Sequence, residues 1–107
     1  MIFITAKFQV RPEDADRWMN VVADFTRGDP ERAGLPVVRL VRSVDDPNEY
    51  VLIEAFRDNH AGTAHVRSDH FREAQKTLTP HLAETPRIIN MTIPQDDWSR
   101  LGEMATD

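Results

Sequence analysis

The sequence predicts an α+β domain of order β-α-β-β-α-β, a ferredoxin-like antiparallel sheet with both helices on one face. Three observations carry this expectation. Residues Ile2 to Val10 alternate with the period of a half-buried strand, residues 12 to 27 repeat apolar groups at helical spacing, and two strand-like runs are joined by the turn formers Asp45-Asp46-Pro47-Asn48. With 107 residues there is room for one core only. The hydrophobic share of 40% beside 29% charged residues makes that core thin, so burial against a second copy is an economical way to complete it.

In the first strand Ile2, Ile4, Ala6, Phe8 and Val10 share one face, and Phe3, Thr5, Lys7 and Gln9 the other. Pro12 stands where a helix start tolerates proline, and Glu13 and Asp14 follow in the first turn, at the positive end of the helix dipole. Ala15, Trp18, Met19, Val22 and Phe25 then form the apolar stripe of a helix from about 12 to 27. Gly28 to Pro36, with two glycines and two prolines, reads as a loop. A second strand covers Pro36 to Val44 with arginines on both of its faces, and after the short turn a third runs from Glu49 to Phe56, completing a hairpin. Asn59 to Glu84 is helical in pattern and is expected to restart near Ser68, a suitable N-cap, while Pro80 ends or bends the last turn. Ile88 to Ile93 is a final β-branched strand closed by Pro94. The chain thus divides into a domain, 1–94, and a polar tail, 95–107. Trp98, Leu101 and Met104 recur in the tail at the spacing of a short helix turn, and the tail either lies on a partner subunit or frays. A four-stranded sheet with helices on one side leaves its other face bare, so a homodimer through that face is expected.

Composition excludes several function classes. A net charge of −5 with scattered basic residues lacks the field that attracts a phosphate backbone, so no nucleic-acid partner is expected. The absence of cysteine removes disulfides, thiolate metal sites and thiol nucleophiles, and fits a reducing, cytoplasmic setting. No apolar run approaches the roughly 20 residues that span a bilayer, so no membrane partner is expected. There is no phosphate loop, no nucleotide fingerprint and no nucleophile elbow.

Among chemistry-bearing residues, His60, His65 and His70 are spaced by five, which turns each about 140° from the last on a helix and argues against a shared metal site. His60, His70 and His81 read as solvated. His65 borders the apolar stripe of the second helix, beside Ala61, Ala64 and Ser68, and is the candidate for proton transfer near neutral pH, with a satisfied core histidine as the alternative. Gln75 is assigned to the same inward side. Glu54 shares a face with Tyr50, Leu52 and Phe56, so this carboxylate in an apolar row needs a partner, for which Lys7 or Arg39 on neighbouring strands is the expected source. Trp18, Phe25 and Phe71 either pack as core or wall a cavity for a flat apolar ligand.

The stretch from Arg42 through Asp45-Asp46-Pro47, Tyr50 and Glu54-Ala55-Phe56-Arg57-Asp58, followed by Ala64-His65, Ser68 and His70-Phe71, resembles the antibiotic biosynthesis monooxygenase family. Phe56 departs from it, since the family often has tryptophan there. The resemblance implies a dimeric α+β barrel and an oxygenase without a cofactor that acts on quinols or polycyclic aromatic molecules. An electron-rich substrate anion then reacts with O₂ directly, in a dry pocket with a base. By this likeness His65 is the first catalytic candidate, and Trp18, Phe25, Glu54, Phe71 and Gln75 are substrate-binding candidates. The haem-degrading branch of the fold is similar along Ser68-Asp69-His70-Phe71, but its axial histidine position holds Gln75, its helix tryptophan aligns with His65, and its strand-one asparagine has no counterpart in Phe3 to Lys7. Haem is therefore disfavoured. Two other readings stay open: a non-catalytic dimeric module that binds a small apolar molecule, and an isomerase of small carbonyl compounds.

Overall fold

The computed structural model describes residues 1–28, 37–57 and 69–106. Four strands, β1 (Ile2–Gln9), β2 (Val37–Arg42), β3 (Glu49–Phe56) and β4 (Arg87–Thr92), form one sheet in the order β2-β3-β1-β4, antiparallel at every junction. Helix α1 (Ala15–Gly28) follows a single 3₁₀ turn at Pro12–Asp14, and helix α2 (Asp69–Leu78) leads into a second 3₁₀ turn at Thr79–His81. This is the ferredoxin-like arrangement expected from the periodicities.

The pairing register assigns each residue to a face. Phe8 stands opposite Tyr50, Ala6 opposite Leu52 and Ile4 opposite Glu54, all on the side covered by the helices. Phe3, Thr5 and Lys7 stand with Met91, Ile89 and Arg87 on the other, open side. The two arginines of β2 diverge as expected. Arg42 lies on the helix side, 5.4 Å over the Tyr50 ring and 3.2 Å from Asp16 of α1, whereas Arg39 falls on the open side opposite Ile53.

The β2–β3 turn is held by its own side chains. The Asp46 carboxylate accepts the Asn48 N–H (2.9 Å) and the Gln9 amide (3.2 Å), while the Arg42 guanidinium donates to the Pro47 carbonyl (2.6 Å). Asn48 in turn offers its carbonyl to the Val10 N–H at 2.9 Å, tying the turn to the end of β1.

The core sits where the stripe of α1 meets the Val10 end of the sheet. Trp18 and Tyr50 are 2% and 1% exposed and pack with Val10, and Phe8, Val22, Leu40, Leu78 and Leu82 close around them. Pro80 ends α2 and turns the chain back, so that Val10 bridges Leu82 and Ala83 donates to the Gln9 carbonyl. Past Pro94 the tail makes one 3₁₀ turn, Gly102–Met104, with Trp98, Leu101 and Met104 all exposed. No helix among the described residues is long and apolar enough to cross a membrane.

Candidate functional site

The helix-side face of β3 carries a row running from Tyr50 through Leu52 and Glu54 to Phe56. At its Tyr50 end the packing is closed. The Trp18 ring lies 5.9 Å from Phe8 and 6.4 Å from Tyr50, both tilted, and the Tyr50 hydroxyl donates 2.7 Å to the Ala15 carbonyl. Tyr50 OH is thereby committed to the backbone of α1. Among the described residues the buried indole N–H of Trp18 has no hydrogen-bond acceptor, and a buried donor without a partner costs about 1–3 kcal/mol.

Four residues further along β3, about 13 Å at the rise of a strand, Glu54 is half-buried and engaged with a partner. Phe56 beyond it is fully buried, and Phe71 on α2 is half-buried. Glu54 and Phe71 are thus borne by the two layers that enclose the helix–sheet space.

Other expected members fall elsewhere. Lys7 and Arg39 do not serve Glu54 from neighbouring strands: the register sets them opposite Val51 and Ile53, on the far face of the sheet, because a shift of one residue reverses a side chain. Gln75 is exposed rather than inward, since α2 turns Phe71, Ala74 and Leu78 toward the core and position 75 lies about 100° round from Ala74. His65, Ser68, His60 and the loop at 29–36 lie outside the described residues, as do the side chains of Phe25 and His70.

One polar cluster went unread in the sequence. His81 is not a solvated helix residue: the turn at Pro80 folds it back, so that Nδ1 sits 3.1 Å from the Asp14 carboxylate while its carbonyl accepts the Arg11 N–H at 2.9 Å. Arg17 also donates to Asp14, at 2.6 Å. The hydrogen bond from His81, followed by that from Arg17, holds the Asp14 carboxyl below the usual carboxylate range. The only sequence signal for this pair was a first-turn carboxylate and a histidine directly after a helix-ending proline. Among the described residues, no three His, Asp or Glu side chains are placed to hold a metal ion.

A half-buried sheet with two helices on one face and a carboxylate within the covered row defines an α+β protein of ferredoxin-like fold. Residues 1–77 match the model of the antibiotic biosynthesis monooxygenase family, and the chain belongs to that family. Solved structures agree. A candidate antibiotic biosynthesis monooxygenase from Nitrosomonas europaea superposes with a TM-score of 0.79 at 18% identity, covering 89% of this chain and 100% of that one. A conserved protein from Methanosarcina mazei is 26% identical with a TM-score of 0.76, covering 84% of this chain and 89% of that one. Rv0793 from Mycobacterium tuberculosis is 26% identical with a TM-score of 0.74, covering 92% and 98%. No curated protein matches the chain.

Proposed function

We propose that the protein is a cofactor-independent monooxygenase acting, as a homodimer, on a quinol or polycyclic aromatic molecule bound between the helices and the sheet. The observation that carries this reading is the family match over residues 1–77, which spans Trp18, Glu54, His65, Phe71 and Gln75 together. The physical chemistry is consistent with it. An electron-rich ring is its own reductant: a ring CH₂ and O₂ become C=O and H₂O, so the protein has only to deprotonate the substrate and keep water away. His65 takes the proton. Glu54, a carboxylate in an apolar row, orients a polar edge of the substrate or the base itself, Phe71 and Phe25 are the candidates to flank the ring, Gln75 is the candidate for the rim, and Trp18 backs the space as packed core.

The homodimer joins the open faces of two sheets, which supplies cover for Ile89, Met91 and Val41, all exposed in the single chain. The test is O₂ uptake with a panel of hydroquinones and anthrone-like phenols. A turnover that falls by about 10²-fold or more in His65→Ala is expected of a general base; unchanged turnover removes His65 from the mechanism.

A second reading has a specific observation in its favour. The Tyr50 end of the helix–sheet space is filled by Trp18 and its neighbours, as a non-catalytic module that binds a small apolar molecule would tolerate. Tight binding of a quinol without O₂ consumption would select it.

A further inference from the structure

Among the described residues, six of the nine large apolar side chains that are exposed gather in two places, Met19, Val41 and Val44 being the others. Along β4, the edge strand, Ile88, Ile89 and Met91 are 63%, 61% and 51% exposed, so both surfaces of that strand are bare. In the tail, Trp98, Leu101 and Met104 are 64% to 75% exposed.

Charge separates these two surfaces in sign. Lys7 is paired directly opposite Arg87 on the open face of the sheet, two cations side by side across a β-ladder. Such a juxtaposition is destabilising unless an anion lies against it. Arg87 reaches Glu84 only at 4.0 Å, and Lys7 has no ion pair among the described residues. The tail carries the complementary charges, Asp96, Asp97, Glu103 and Asp107 against a single Arg100. It leaves the sheet past Thr92, opposite Ile2, whereas Lys7 and Arg87 lie at the other end of β4, about 17 Å away along the strand.

We propose that residues 95–106 are an exchanged arm. In the dimer, on which this inference rests, the tail of each copy lies over the β4 margin of the other. Trp98, Leu101 and Met104 cover Ile88, which lies on the helix side of the edge strand and stays bare when the open faces join, and Asp96 and Asp97 face Lys7 and Arg87 at the rim of that interface. The arm thereby closes the edge strand of its partner, which otherwise offers an unpaired row of backbone groups to any extended chain, and it sets a like-charge pair against carboxylates. The occupant of the β4 margin is a second copy of this chain.

The chain lacks cysteine, so an introduced pair reports contacts without background. In the full-length chain carrying Ser99→Cys and Ile88→Cys, mild oxidation is expected to yield a covalent dimer. A disulfide within one chain, or two unreacted thiols, overturns the exchange. Independently, the full-length variant Asp96→Lys/Asp97→Lys is expected to weaken dimerisation about tenfold or more, as is Lys7→Glu/Arg87→Glu, and their combination is expected to restore it. Loss without restoration in a chain whose circular dichroism is unchanged overturns the charge pairing. A wild-type chain that sediments as a monomer at high concentration overturns the dimer itself, whereas a dimer that gives no interchain link overturns only the arm.

Discussion

The Tyr50 end of the helix-side face and the β4 margin use similar side chains to opposite effect. At the first, a tryptophan, a tyrosine and a valine are fully buried because α1, α2 and the turn after Pro80 converge on them. At the second, two isoleucines and a methionine are left in solvent because β4 is an edge strand and the two helices sit elsewhere. Hydrophobicity specifies a need for cover, and the order of strands decides what provides it. One end is satisfied within the chain. The other is left bare, and it is where the proposed dimer and the proposed arm both act.

The largest expected effect tests the satisfied end. Trp18→Ala should lose about 3–5 kcal/mol of stability in denaturant unfolding, the cost of deleting a buried aromatic side chain. A loss under about 1 kcal/mol would mean that the Trp18 cluster is not the core. Next comes the unsatisfied face: Met91→Lys should leave the fold of the single chain intact within about 0.5 kcal/mol, as exposed sites do, yet convert a dimer to monomers in sedimentation. Retained dimers would assign association to another surface.

A smaller effect is expected at the junction of α1 and β3. Tyr50→Phe keeps the ring packing and the Arg42 contact but removes the 2.7 Å bond to the Ala15 carbonyl, so about 1 kcal/mol should be lost. The smallest effect concerns pH. Because His81 and Arg17 hold the Asp14 carboxyl below its ordinary value in the folded chain, its contribution is present above the ordinary carboxylate pKa and is lost as pH falls through the depressed one. Asp14→Asn should therefore be slightly less stable than the wild type at neutral pH and flatten the acid limb of the stability profile, the two chains converging as pH falls. An acid limb identical in the variant would show that the carboxylate is not coupled to folding.

Much of the fold was legible because strand and helix periods are local. The alternation of Ile2 to Gln9, the stripe through Trp18 and Val22, and the Asp46-Pro47-Asn48 turn each encode an element without reference to the rest of the chain. The candidate site was legible only in part. Trp18 and Tyr50 followed from the periods, but the register that separates Glu54 from Lys7 and Arg39 depends on which strands pair and in what phase. Gln75 illustrates the same limit within a helix. At the flank of a stripe, an inward or outward position depends on the rotation set by the neighbouring helix, and here Phe71, Ala74 and Leu78 take the inward places.

The family likeness and the order of the elements were determined by the sequence itself, since both rest on short motifs and on side-chain periods that a strand or helix expresses wherever it is placed. Tertiary structure alone decided three other matters: the union of His81 with Asp14, 67 residues apart in the chain, the like-charge pairing of Lys7 with Arg87, and the exposure of β4 beside an acidic tail. Each requires two distant segments to meet, and such a meeting is set by how the sheet is ordered and where the chain turns back, which no local period records.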